Sequence, residues 1–218
     1  MNLYDTSLAH IAQTIPGASA ILNQYRLSFC CGGQHTLREA TNKANISAED
    51  VHRALVNLVP QAASDVNWQN ASNEALIEHL LERFHKVHRQ QLAELIRLSE
   101  RVEMVHSDKP DCPLGLADHL KYMAHELEAH MQKEEQILFP MLSKGMHQMA
   151  GGPVSVMRQD HHDHLDAIHQ LEIISHQMQA PEKACNTWRA LYLGLRQFRD
   201  DLLQHIELEN DILFARVA

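Results

Sequence analysis

The chain has 218 residues, 44% of them hydrophobic and 5% aromatic, which is enough for one bundle-sized domain with a small attachment. Its formal net charge of −9 argues against nucleic acid or an anionic membrane surface as a partner. No apolar run reaches the roughly 18 residues needed to span a bilayer, and the N-terminus lacks the features of a signal peptide. Four cysteines in a chain of this length do not indicate a disulfide framework, so we expect a cytoplasmic protein.

Residues 1–60 predict a small helical domain, because short apolar-periodic stretches alternate with turn residues. Thr6 or Ser7 is placed to cap its first helix. A Phe-Cys-Cys-Gly-Gly sequence at residues 29–33 predicts a tight loop. Residues 61–73 are polar and weakly periodic, which is typical of a linker.

Residues 74–218 predict an antiparallel, up-down four-helix bundle, which makes the whole chain all-α. Proline- and glycine-containing breaks separate the helical patterns, and the connections are short enough for neighbouring helices to run antiparallel. The four predicted helices lie near residues 74–105, 115–145, 154–178 and 183–215.

Two stretches of the bundle repeat each other, about 75 residues apart. Each begins with histidine, has glutamate four residues later and continues Ile-Leu-Phe; one runs from His130 to Phe139 and the other from His205 to Phe214. A four-residue step brings two helical side chains to one face. The repetition therefore predicts a duplicated helical hairpin that presents two His–Glu pairs.

The apolar spacing places these pairs in the core. His130 and Glu134 occupy inward positions between Leu127 and Ile137, and the second pair lies in the same way on the last helix. On the first helix the spacing points His85, His88 or both inward. On the third it points His161 inward, together with Leu165 and Ile168.

All four helices present these groups at one depth. At 1.5 Å per residue, the layer lies on the order of 10–15 Å from the end of the bundle where the first and third helices begin. A buried hydrogen-bond network is one explanation, but buried carboxylates are costly without compensation. We favour a dinuclear metal centre, and mixed nitrogen and oxygen ligands suit iron or manganese better than structural zinc.

The order of these residues resembles the hemerythrin-like family over residues 74–218, since ferritin-like di-iron bundles use Glu-x-x-His instead. The chain departs from oxygen-carrying hemerythrins at Leu165, where those have histidine, and at Glu209, where their last motif ends in aspartate one residue later. The predicted site thus has one imidazole fewer, which argues against simple oxygen carriage.

The Phe-Cys-Cys-Gly-Gly loop and the sequence His-Met-x-Lys-Glu-Glu-Gln-Ile-Leu-Phe-Pro together resemble the iron–sulfur cluster repair di-iron proteins (RIC family, YtfE/ScdA type) over essentially the whole chain. The resemblance implies two non-haem iron ions with an oxo or hydroxo bridge. It implies terminal histidine ligands and bridging carboxylates as follows: His85, His130, His161 and His205, with Glu134 and Glu209. His88, His162 and His164 have no place in that pattern, which leaves them as surface or neighbouring residues.

Adjacent Cys30 and Cys31 are interpreted in two ways. One is a buried thiol beside an exposed one. The other is a reactive dithiol that meets a redox partner or client, because the following glycines allow close approach and a helix start favours thiolate. Cys112 and Cys185 fall in loops between bundle helices and indicate nothing by themselves.

The resemblance implies a stress-response protein that repairs iron–sulfur clusters damaged by nitric oxide or peroxide, by donating iron rather than as an enzyme. Its partners would be the damaged iron–sulfur proteins, with nitric oxide or peroxide as small ligands. A di-iron nitric oxide reductase and a gas sensor remain the alternatives. The sequence leaves the clients, the arrangement of the domains and a homodimeric state open.

Overall fold

The computed structural model describes residues 2–30, 33–58 and 67–217, and these residues are mainly helical. Ser7 caps the first N-terminal helix by accepting a hydrogen bond from the backbone of His10 at 3.3 Å. Thr36 and Glu39 form a capping box at the start of the third. The N-terminal helices span Leu8–Thr14, Ala18–Gln24, Leu37–Ala44 and Ala48–Val56.

In the described residues from Asn73 onward, four long helices form a bundle, and the predicted all-α fold is confirmed. Three of them contain a π-helical turn. The first bundle helix consists of Asn73–His79, the π turn Leu80–His85 and Lys86–His106. The second consists of Leu116–Lys133, the π turn Glu134–Leu138 and Phe139–Ser143. The third is Gly151–Ile174, and the fourth consists of Asn186–Leu208 and the π turn Glu209–Leu213.

Ion pairs between the first and second bundle helices show that these run antiparallel. Arg89 pairs with Glu128 at 2.7 Å, and Glu100 pairs with Lys121 at 2.8 Å. Residue numbers therefore rise along one helix as they fall along the other. None of the helices within the described ranges is long and apolar enough to cross a membrane.

The N-terminal helices pack on the bundle, and one hydrophobic core runs through both parts. Leu8 and Ile11 belong to the same buried cluster as Leu191 of the fourth bundle helix. Gln13 donates a hydrogen bond to the Asn186 side chain at 2.7 Å across this junction. The N-terminal part is therefore held against the end of the bundle where the fourth helix begins.

A second hydrophobic cluster closes the opposite end of the bundle, around Phe84, Leu138 and Leu213. Part of the predicted linker packs there. The Trp68 ring stacks on His79, and the Trp68 carbonyl accepts a hydrogen bond from Arg216 at 2.8 Å. Residues 61–66 of that linker lie outside the described residues.

Candidate metal centre

Six polar side chains meet inside the bundle, and all of them are buried: His85, His130, Glu134, His161, His205 and Glu209. Their ligand atoms fall into two groups in which all atoms lie within 4.8 Å of one another. One group contains His85 and His205 with both glutamates, and the other contains His130 and His161 with the same two glutamates. The two groups are therefore adjacent sites that share two carboxylates.

The distances show how each carboxylate reaches both groups. Glu134 Oε2 lies 3.3 Å from His85 Nε2 and 3.4 Å from His130 Nε2. Each oxygen of Glu209 faces a different group. Oε2 lies 3.0 Å from His161 Nε2, and Oε1 lies 3.0 Å from His205 Nε2. Each group thus offers two imidazoles and two carboxylates. Two such groups that share their carboxylates are the donor set expected for a pair of neighbouring cations.

The π-helical turns lie at this site. Glu134 and Glu209 each begin such a turn, and His85 ends the turn of the first helix. A π turn contains an extra residue, so it changes which side chains face the core after it. The prediction that Ile137 faces inward is wrong for this reason: its side chain is 52% exposed, while that of Leu138 is 1% exposed.

Burial sets the charge of the site when no cation is present. Burial and then the charge of Glu209 hold the pKa of Glu134 well above its usual range. Burial also acts to raise the pKa of Glu209, but the charge of His205 and the hydrogen bonds of His161 and His205 outweigh it and lower that pKa. Without a cation, Glu134 is therefore the carboxyl that holds a proton and Glu209 the one that is charged.

Unpaired polar atoms show that the six side chains do not satisfy one another. Both carboxylate oxygens of Glu134 and Nε2 of His85 are buried and lack hydrogen-bond partners among the described residues. Burial, and then the charge of His205, lower the pKa of His85 to about 4, so its imidazole is neutral at pH 7. Neutral imidazoles and unpaired carboxylate oxygens are the ligands that transition metals require. A closed hydrogen-bond network would not leave these atoms without partners.

Three of the four ligand-type histidines are oriented by a hydrogen bond to the other ring nitrogen. The Nδ1 atom of His85 lies 2.8 Å from Glu135, and that of His161 lies 3.1 Å from Asn210. The His130 Nδ1 atom lies 3.3 Å from Asp160. Hydrogen bonds from His130 and Lys133 lower the pKa of Asp160 to about 2, so this carboxylate is charged and holds the imidazole.

Two further histidines border the site without joining either group. His88 lies beside His205, with ring centroids 5.3 Å apart, and His164 lies beside His130 at 5.0 Å. Both are buried. Burial and then the charge of His130 lower the pKa of His164 to about 3.

The predicted inner face of the third helix is partly wrong, because Leu165 is 40% exposed and His164 takes the inward position. The open question on the first helix is also resolved, since both His85 and His88 point inward. His162 is exposed. The internal repeat contains a signal for His164: it follows His161 by three residues, as His88 follows His85.

Cys30 and Cys185 lie at the junction of the two parts, away from these ligands. Cys30 is exposed, and Cys31 lies outside the described residues, so the adjacent pair stays a prediction. Cys112 is buried. Cys185 lies at the start of the fourth bundle helix, and the side chain of Cys30 is its hydrogen-bonding neighbour.

Comparison with known proteins agrees with this geometry. Residues 76–217 match the hemerythrin HHE cation binding domain, and residues 4–59 match ScdA_N, a domain of unknown function. The chain is 47% identical to the iron–sulfur cluster repair protein YtfE of Dickeya chrysanthemi (strain Ech1591), over 99% of this chain and 98% of the relative. The chain belongs to the YtfE family.

Other YtfE relatives match at similar length. The YtfE protein of Musicola paradisiaca (strain Ech703) is 44% identical over 99% of this chain and 97% of its own. That of Yersinia pseudotuberculosis serotype O:1b (strain IP 31758) is 44% identical over 99% of this chain and 98% of its own. The match to the hemerythrin HHE cation binding domain covers the bundle. The two buried groups of histidines and glutamates lie within it.

Proposed function

We propose that this protein binds two iron ions in the bundle and repairs iron–sulfur clusters damaged by nitrosative and oxidative stress in the cytoplasm. The observation that carries the proposal is the pair of buried His₂Glu₂ groups that share Glu134 and Glu209. The names of the relatives supply the repair role, because each is an iron–sulfur cluster repair protein.

The donor set supports iron or manganese over structural zinc, and the resemblance to the repair proteins favours iron. Each group mixes two nitrogen and two oxygen donors, whereas structural zinc sites use four closed tetrahedral ligands, commonly with cysteine. In the proposed arrangement His85 and His205 would hold one ion and His130 and His161 the other, with Glu134 and Glu209 available to both. Bound iron would supply a redox-active cation able to bind nitric oxide or peroxide.

The residues around the centre support release of iron towards one face. Glu135 bonds His85 and also lines a surface cleft of about 800 Å³ with Arg89 and Phe139. Arg89 holds Glu135 at 3.0 Å and is itself part of the surface. Movement of this partly exposed ion pair would free His85 to turn away from the site. The cleft beside Glu135 is therefore the proposed exit for iron.

The N-terminal part, residues 1–60, is proposed to meet the client protein through the loop that contains Cys30 and Cys31. The loop supports this role by its position, because Cys30 is exposed at the junction with the bundle. Residues 61–73 then act as the connection to the metal-binding part, residues 74–218.

The experiment measures recovery of an iron–sulfur enzyme whose cluster was damaged by nitric oxide. Iron-loaded wild-type protein is expected to restore activity in proportion to the iron it loses. The double variant His130→Ala, Glu134→Ala is expected to restore none, and His125→Ala, an exposed histidine on the same helix, serves as the matched control. Equal recovery with the double variant would contradict the proposal. Repeated turnover of nitric oxide with an electron donor, without iron loss, would favour the reductase instead.

A further inference from the structure

A second cluster of reactive groups lies at the junction of the two parts, at the end of the bundle where the fourth helix begins. Cys185 precedes the first residue of that helix, and its Sγ atom lies 3.2 Å from Nε2 of His106. The next residue, Asn186, donates hydrogen bonds to the carbonyls of Phe29 at 2.9 Å and Cys30 at 3.3 Å. These bonds hold the Cys30 loop against the start of the helix.

The two thiols interact directly. A side-chain hydrogen bond and the charge of Cys30 both act on Cys185. Cys30 is exposed, Cys185 is half-buried, and both lie outside regular helix. An exposed thiol beside a more buried one is the arrangement of an attacking and a resolving cysteine.

The cleft beside Cys30 has a charge opposite to that of the whole protein. It has a volume of about 650 Å³, and Arg26, Arg97 and Arg101 line it. Arg97 is paired with Glu94, whereas Arg26 and Arg101 have no carboxylate partner among the described residues. Glu100, which also lines the cleft, is paired with Lys121. The cleft therefore offers two unpaired guanidinium groups to carboxylates of a ligand.

We propose that Cys30 and Cys185 form a thiol–disulfide exchange site that takes a low-molecular-weight disulfide bearing carboxylates. The pairing differs from the adjacent Cys30–Cys31 pair, and it joins the N-terminal part to the bundle covalently. It is independent of the metal centre and of the repair function.

The exchange proceeds in two balanced steps. The Cys30 thiolate attacks one sulfur of the external disulfide, whose S–S bond breaks, and half of the molecule leaves as a thiolate that takes up a proton. The Cys185 thiol then passes its proton to Nε2 of His106 and attacks the sulfur of Cys30. The Cys30–Cys185 bond forms, the second half leaves as a thiolate, and His106 returns the proton to it. Two protein thiols are oxidised and one external disulfide is reduced to two thiols.

The test uses the full-length, metal-containing protein and oxidised glutathione as the probe. After alkylation of the remaining thiols, non-reducing peptide mapping is expected to show a Cys30–Cys185 link in wild type and in Cys112→Ser, which removes a cysteine outside the site. Cys185→Ser is expected to accumulate a glutathione adduct on Cys30. A Cys30–Cys31 link in wild type, or an equally persistent Cys30 adduct in wild type, would overturn the pairing. The wild-type map decides this even if the variant does not fold.

A second comparison tests the ligand class. Arg101→Ala is expected to slow the reaction with oxidised glutathione several-fold and to leave the reaction with neutral 2-hydroxyethyl disulfide unchanged. Lys43→Ala, which removes an exposed cation elsewhere on the N-terminal part, is the control for net charge. Equal slowing with both disulfides, or no slowing with either, would overturn the role of the arginines.

Discussion

Glu135 and Asn210 are equivalent residues of the two repeats, and each hydrogen-bonds Nδ1 of a histidine on the preceding helix. Glu135 reaches His85 at 2.8 Å, and Asn210 reaches His161 at 3.1 Å. Each follows the carboxylate that is shared between the two groups. One short sequence thus supplies a histidine of one group, a carboxylate shared by both groups and a residue that orients a histidine on the preceding helix.

Glu135→Ala is expected to weaken metal binding by about 10–100-fold, because loss of an outer hydrogen bond leaves the ligand imidazole unoriented. Competition with a chromogenic chelator measures the affinity. Glu128→Ala also removes a carboxylate partner of Arg89 but no hydrogen bond to His85 among the described residues, so it is the matched control. The same loss of affinity in both variants would attribute the effect to Arg89 instead.

Glu134→Leu is expected to have opposite effects on the metal-free and metal-loaded proteins. Without metal, Glu134 is a buried carboxyl with both oxygens unpaired, and an apolar replacement is expected to stabilise the fold by about 1–4 kcal/mol. In the metal-loaded protein, the same change is expected to destabilise the fold, because it removes a carboxylate that both groups share. Thermal unfolding with and without metal checks this. A lower Tm of the metal-free variant would show that Glu134 is already satisfied there.

His88 is expected to support His205 in place of a carboxylate. Asp160 precedes His161 and orients His130, but Phe84 stands at the equivalent position before His85 and stacks on His205. The Nδ1 atom of His205 and the Nε2 atom of His88 are both buried without partners among the described residues. The Nδ1 atom of His88 faces Gln91 at 3.1 Å, which leaves Nε2 as an acceptor for His205, directly or through a water.

His88→Phe is therefore expected to weaken metal binding more than His164→Phe. The reason is that His130, the histidine beside His164, is already oriented by Asp160. Both changes replace a buried imidazole with a phenyl ring at equivalent positions, so each controls for the packing effect of the other. Chelator competition again measures the affinity. Equal losses in the two variants would assign the effect to packing.

The closing step of thiol exchange is expected to speed up as pH rises through and above the usual range of a cysteine thiol. Burial, and the neighbouring Cys30, raise the pKa of Cys185, while the backbone N–H groups of Trp188 and Thr187 act in the opposite direction. Since the thiolate is the nucleophile, the fraction of reactive Cys185 grows with pH. Rapid alkylation at intervals, followed by peptide mapping, gives the rate. A pH-independent closing step would contradict this.

The sequence by itself determined the helical bundle and most of the centre. A four-residue His–Glu step, repeated on two helices at inward positions, fixes one face of each helix, and that face is a local property of the chain. The depth of His85 and His161 followed from the antiparallel order and the rise per residue. The inward face of each helix and the depth of these histidines can therefore be predicted without tertiary contacts.

Only the tertiary structure decided the details that depend on packing between distant parts. The π turns at Glu134 and Glu209 turn Ile137 outward and Leu138 inward, and local periodicity does not reveal them because they add one residue to a helical turn. The meeting of Cys185 with Cys30 depends on how the N-terminal helices pack on the bundle. A loop cysteine gives no sequence signal for such a contact, because its partner lies more than a hundred residues away and is brought there by the shared hydrophobic core.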